Sequence, residues 1–228
     1  LDKELLLNKL KGKLIVSCQA LENEPLHSSM IMGRMALAAK QGGASGIRAN
    51  TVEDIKEIRR MVDLPIIGII KQNYDDSEIY ITPTMTEVMK LVDSPADIIA
   101  MDATLRKRPG KADIVELLAA VKKSGKLAMA DISTLEEGIN AYKLGFDIVS
   151  TTLSGYTPQS QVRDTPDFEL IEQLKKSVPI PIIAEGHIKN PQELVKAIKC
   201  GAHCAVVGSI ITRPQVITRY FVSALENA

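Results

Sequence analysis

Tryptophan is absent and aromatic residues make up only 4% of the chain, so its 45% hydrophobic share is carried by aliphatic side chains. Excess charge is also missing: 28 Lys and Arg stand against 28 Asp and Glu in 228 residues. Without a basic surplus there is no surface to track a phosphate backbone, which argues against a nucleic-acid binder. The same balance argues against a polybasic membrane-surface protein and an acidic disordered tail. No apolar run approaches the ~18 residues needed to span a bilayer. Cysteine is scarce and odd in number (Cys18, Cys200 and Cys204), which excludes a disulfide framework and points to a reducing cytoplasm. No basic segment followed by an apolar one opens the chain. It begins on Leu1 rather than Met, which leaves a trimmed upstream segment open. What remains is a soluble, aliphatic, globular protein.

Eight short aliphatic runs recur: Leu14–Gln19, Ala44–Ala49, Pro65–Lys71, Asp97–Met101, Leu127–Asp131, Asp147–Thr151, Pro181–Glu185 and Ala202–Val207. They are nearly continuous rather than alternating, as strands covered on both faces are. Stretches of helical spacing separate them. Thr51-Val-Glu-Asp, Ser133-Thr-Leu-Glu-Glu and Asn190-Pro-Gln-Glu each set a capping side chain ahead of early acidic residues. Eight strand–helix units predict an α/β fold, a (β/α)8 barrel of the TIM type, as one domain over residues 1–228. A doubly wound open sheet is the competitor, but G-x-G-x-x-G occurs nowhere. Asp63-Leu-Pro-Ile-Ile-Gly echoes Ile180-Pro-Ile-Ile-Ala-Glu. Half-barrel duplication accounts for that echo, and so does the shared composition of parallel strands.

Barrel enzymes carry their chemistry at the C-terminal strand ends. Here those ends are Gln19, Arg48, Lys71, Asp102, Asp131, Thr152, Glu185 and Ser209, far more polar than the strands delivering them. Such groups either reach solvent, pair with one another, or form a site. Lys71 closes the most aliphatic stretch, where partial desolvation lowers an amine's pKa and frees a base or a Schiff-base nucleophile. Glu185 ends another buried strand, where burial raises a carboxyl's pKa and suits it to act as an acid. A structural ion pair between the two is the alternative, though strands three and seven are not barrel neighbours. Gly186, Gly208 and Ser209 lie in the loops after strands seven and eight, the recurrent phosphate site of this architecture, with Arg213 close behind as a clamp. Cys200, His203 and Cys204 lack a fourth zinc ligand and read as packing, and Cys18 reads as inert core. The methionines of Met30-Ile-Met-Gly-Arg-Met read as a helix face on the barrel. No H-E-x-x-H, Walker loop or nucleophile elbow occurs.

Taken together, Ser17-Cys-Gln-Ala with Pro25-Leu26, Gly46-Ile-Arg-Ala-Asn, Gly68-Ile-Ile-Lys, Ala130-Asp-Ile-Ser-Thr, Thr151-Thr-Leu-Ser-Gly-Tyr-Thr, Ala184-Glu-Gly and Val207-Gly-Ser-Ile-Ile-Thr-Arg-Pro resemble the N-acetylmannosamine-6-phosphate 2-epimerases. The resemblance runs from near residue 14 to near 214. It implies a bacterial-type isomerase of sialic acid and amino-sugar catabolism that uses neither metal nor organic cofactor. The implied substrate is a phosphorylated N-acetyl amino sugar, and the implied assembly is a homo-oligomer, with a dimer expected. By resemblance, Lys71 is the base and Glu185 the acid, and Asp131 orients or charges Lys71. Gln19 and Arg48 bind sugar oxygens, and Gly186, Gly208, Ser209 and Arg213 hold the 6-phosphate. The amphipathic segment from Val216 to Leu225 covers either the barrel or a partner. Two other readings stay open on the residues alone: an aldolase-like Schiff-base enzyme using Lys71, and a non-catalytic barrel that senses a sugar phosphate.

Overall fold

A computed structural model describes residues 2–226. In chain order it holds α1 (Lys3–Leu10), β1 (Leu14–Cys18), α2 (Ser29–Gln41), β2 (Gly46–Asn50), α3 (Val52–Met61), β3 (Ile66–Ile69), α4 (Met85–Val92), β4 (Ile98–Asp102), α5 (Ile114–Lys123), β5 (Leu127–Asp131), α6 (Leu135–Leu144), β6 (Ile148–Ser150), α7 (Phe168–Ser177), β7 (Ile182–Glu185), α8 (Pro191–Lys199), β8 (Cys204–Val207), α9 (Ser209–Thr212) and α10 (Pro214–Glu226). The strands close into a parallel barrel in sequence order, with β1 paired to both β2 and β8. No strand end differs from the sequence expectation by more than two residues.

The caps form as the sequence predicts. Thr51 Oγ1 accepts from Asp54 N, Thr134 and Glu137 make a capping box, and Asn190 Oδ1 accepts from Glu193 N ahead of Pro191. These contacts satisfy helix N–H groups that would otherwise lack partners, and they fix where each helix leaves its strand.

Along each strand, alternate residues enter two separate cores. Ile15, Ile67, Ile69, Ile98, Ala100, Leu127, Met129, Ile148, Ile183, Cys204 and Val206 fill the barrel interior. Val16, Ile47, Ile66, Ile99, Ala128, Val149, Ile182 and Ala205 pack outward against the helices. With a side-chain period of two, that parity carries Gln19, Arg48, Lys71, Asp131, Thr152 and Glu185 onto the inward set at the C-terminal ends. A slip of one residue in any strand would point its polar residue into the helical layer instead.

α1 has no place in the eight-unit count, and β8 is followed by two helices, α9 and α10. α1 precedes β1 and sends Leu6 and Leu10 into the interior cluster, plugging the N-terminal end. His203 helps hold it, its Nε2 bonding the Leu7 carbonyl at 2.8 Å. The three cysteines separate. Cys18 and Cys204 are buried with thiols pushed up to about 12 by burial, whereas Cys200 ends α8 half-buried. Of the α2 methionines, Met32 is buried while Met30 stays exposed. At the other end of the chain, α10 contributes no buried residue.

Candidate active site

The inward strand ends open into a cavity of about 580 Å³. Every expected site residue lines it except Asp131, which is wholly buried beneath.

Arg48 organises the floor. Two residues before the end of β2, it is only 1% exposed, so its charge needs compensation. Nη1 and Nη2 meet the two Asp131 oxygens at 3.1 and 2.5 Å, and Nη1 also reaches Glu185 Oε2 at 2.5 Å. Burial works against the cation, but Asp131 and Glu185 outweigh it and push the pKa above its ordinary value. Thr152 donates to Asp131 Oδ1 at 2.6 Å and lies 3.3 Å from Glu185 Oε2. The strand-end charges therefore do pair with one another, as one sequence reading allowed, but in a particular way. Asp131 is hydrogen-bonded to Arg48 and Thr152, and it forms no hydrogen bond or ion pair with Lys71. Its position on β5, two strands from β3 around the ring, places Arg48 of β2 across the interior as its partner.

Lys71 and Glu185 are not an ion pair; Glu185 pairs with Arg48 instead. β3 and β7 lie four places apart in a ring of eight, so these two side chains approach from opposite walls. The Lys71 backbone is fixed by a bond from its N–H to Asn50 Oδ1 at 2.9 Å, and its chain folds back through a bridge to Ile81. Burial first, then the Arg48 and Arg213 cations, lower the amine's pKa from 10.5 to about 8. Burial first, then the Asp131 charge, raises Glu185 from 4.5 to about 7 despite the opposing pull of Arg48. One amine can thus lose its proton near neutrality, and one carboxyl can keep its own.

Three polar atoms at the cavity are buried without a protein partner: Gln19 Oε1, Arg48 Nε and His187 Nε2. Gln19 Nε2 is held by Ser17 Oγ at 2.9 Å, which sets the direction of the amide. At the β7 and β8 side, Gly186 adopts φ +103°, a conformation that favours glycine, and Ser209 Oγ accepts from Arg213 Nη1 at 2.9 Å.

Sequence reasoning passed over Tyr80, Tyr156 and Tyr220 as lining residues; His187, next to Gly186 in the loop expected to hold phosphate, lines the cavity as well. Tyr156 and His187 stack with centroids 4.4 Å apart and an interplanar angle of 10°. They come from the β6–α7 and β7–α8 connections, and Tyr80 from the long β3–α4 connection, so no periodicity marked them. Glu24, bound to Arg213, was also invisible.

Residues 32–227 match the family model described as "Putative N-acetylmannosamine-6-phosphate epimerase". A protein of Clostridium perfringens (strain SM101 / Type A) named "Putative N-acetylmannosamine-6-phosphate 2-epimerase" is 62% identical over 221 residues, 97% of this chain and 100% of its own. One of Clostridioides difficile (strain 630) with the same name is 58% identical over 221 residues, 97% of this chain and 99% of its own. A solved structure of the N-acetylmannosamine-6-phosphate 2-epimerase from Clostridium perfringens superposes with a TM-score of 0.95 at 62% identity, covering 96% of each chain. With its barrel closed and its strand-end motifs gathered at one cavity, this chain belongs to the N-acetylmannosamine-6-phosphate epimerase family.

Proposed function

We propose that the protein interconverts N-acetylmannosamine 6-phosphate and N-acetylglucosamine 6-phosphate by inversion at C2, making it an N-acylglucosamine-6-phosphate 2-epimerase. The observation carrying this reading is the placement of Lys71 and Glu185 on opposite walls of one cavity, with pKa values drawn to about 8 and about 7. The C2 proton of the open-chain sugar is acidic because C1 is an aldehyde. Neutral Lys71 removes it; the C–H electron pair forms the C1–C2 double bond, and the carbonyl pair moves onto O1. Glu185 then delivers its proton to the opposite face of C2. Lys71 is left as an ammonium and Glu185 as a carboxylate, the pair required for the reverse reaction. As written, this chemistry uses neither metal nor organic cofactor.

Gln19 Oε1 and Arg48 Nε suit sugar oxygens because each is a buried polar atom without a protein partner. Asp131 serves as a positioning residue through Arg48. Gly186, Gly208, Ser209 and Arg213 suit the 6-phosphate, whose binding energy would hold C2 between base and acid. We place the reaction in sialic acid and amino-sugar catabolism in the cytoplasm, a reducing compartment that fits the three free cysteines. We also assign a homodimer, because α10 leaves Tyr220, Phe221 and Leu225 67%, 67% and 80% exposed.

Incubation with N-acetylmannosamine 6-phosphate in D2O, followed by NMR, tests the assignment. The expected result is deuterium at C2 with appearance of the gluco epimer. Unchanged, unlabelled substrate would sink it. Borohydride added during turnover should leave Lys71 unmodified; a trapped adduct would identify a Schiff-base enzyme instead.

A further inference from the structure

We propose that Glu24 is a positioning residue for the phosphate end of the site, its carboxylate fixing the Arg213 guanidinium so that the arginine's remaining N–H groups serve the cavity. This inference rests on the sugar-phosphate reading above. Glu24 lies in the β1–α2 connection, and Arg213 lies at the junction of α9 and α10. Glu24 Oε1 accepts from Arg213 Nε at 2.5 Å and Oε2 accepts from Nη2 at 2.9 Å. Two further donors converge on the same carboxylate: the Leu21 backbone N–H on Oε2 at 2.8 Å, and Gln215 Nε2 on Oε1 at 3.1 Å. The bond with Arg213 pulls the Glu24 pKa below its ordinary 4.5, so the group is charged at neutral pH.

A guanidinium has five N–H groups in a fixed plane. Glu24 takes two along the Nε–Nη2 edge, and Nη1 gives a third to Ser209 Oγ at 2.9 Å. One N–H on each Nη remains. Arg213 and Ser209 line the cavity, whereas Glu24 does not. The carboxylate therefore stands behind the arginine rather than in the place of an incoming anion. Arginine gains most as an anion ligand when its plane is set in advance, because ordering a long side chain at the moment of binding costs affinity. The surrounding corner is also anchored to the barrel. Thr212 Oγ1 donates to the Ser17 carbonyl at 2.9 Å, tying α9 to the end of β1.

The role is separable from net charge. A carboxylate acting only through its charge would repel a phosphate, and its removal would tighten binding. A positioning carboxylate, when removed, loosens it.

The test compares Glu24→Ala, Glu24→Asp and the unsubstituted enzyme in epimerisation of N-acetylmannosamine 6-phosphate, with competitive inhibition by inorganic phosphate and a thermal melt on each. Both variants should raise KM and the phosphate inhibition constant about tenfold, the size of one charge-assisted hydrogen bond. kcat should stay within about threefold, the signature of lost uniform binding. Asp keeps the charge but lacks the reach, so a normal Glu24→Asp beside a weakened Glu24→Ala would overturn positioning. Equal or tighter phosphate inhibition in Glu24→Ala would overturn it too, as would a fall in kcat at constant KM. Inactivity of the unsubstituted enzyme toward the sugar phosphate, with inorganic phosphate still bound in a Glu24-dependent way, would remove the substrate reading and leave the Glu24 role standing.

Discussion

Lys71 and Glu185 show how two ordinary side chains acquire opposite tasks from their surroundings. The amine is drawn to about 8 by burial and by two nearby arginines, and the carboxyl is raised to about 7 by burial beside Asp131. Between those values the pair holds one proton, and the reactive form, Lys71-neutral with Glu185-protonated, is the minor arrangement of it. kcat/KM against pH should therefore be bell-shaped, its acid limb near 7 and its alkaline limb near 8, in both directions of reaction. A flat profile from pH 6 to 9 would detach the chemistry from this pair. Lys71→Ala should lower C2 exchange by about 10³-fold or more, in the range of a lost general base, while inorganic phosphate still binds. Retained exchange would take Lys71 out of the mechanism. Both residues were legible in the sequence because a charge that ends an aliphatic run needs a reason. Asp131 was legible as a buried strand-end carboxylate but not in its partner, since only the ring geometry puts Arg48 opposite it.

At the scale of elements, the strands position and the helices hold. α1 illustrates the part that patterning missed: eight residues with weak amphipathicity, capped by Asp2, whose value lies in Leu6 and Leu10 closing the barrel floor. Leu10→Ala should cost about 3 kcal/mol in urea unfolding, as large-to-small changes at buried leucines do, with KM unchanged. A cost below about 0.5 kcal/mol would show that α1 is dispensable to the core. α10 is the opposite case, a helix whose apolar residues find no core in the chain described. Replacing Phe221 and Leu225 together by Asp should convert the proposed dimer to a monomer by light scattering; an unaltered mass would remove α10 from the proposed interface.

For the whole molecule, the proposed catalytic arrangement is held at a cost in stability. The folded state binds the Lys71 proton less tightly than the unfolded chain, so stability should rise with pH between about 8 and 10.5. Glu185 has the opposite sign: its folded pKa is raised, so the stabilising proton uptake is complete below 4.5 and lost as pH rises through about 7. Near neutrality Lys71 stays mostly charged in a desolvated place, a penalty of about 3 kcal/mol for a shift of this size. Lys71→Met should accordingly raise Tm at pH 7 by several degrees while abolishing exchange, with the gain shrinking toward pH 10. A lower Tm at pH 7 would mean that the lysine stem, not its charge, dominates at that position.

The sequence by itself determined the eight strands, their caps and the inventory of strand-end groups, because these follow from local patterning: continuous aliphatic runs, capping side chains and polar residues at fixed parity. It also carried enough consecutive motifs to identify the family. Only the tertiary structure decided the partners. The Arg48–Asp131 and Arg48–Glu185 bonds span 83 and 137 residues of chain, and Arg213–Glu24 spans 189. Separations of that length leave no trace in spacing; they are set by the closure of the barrel, which alone brings distant strand ends within hydrogen-bonding reach.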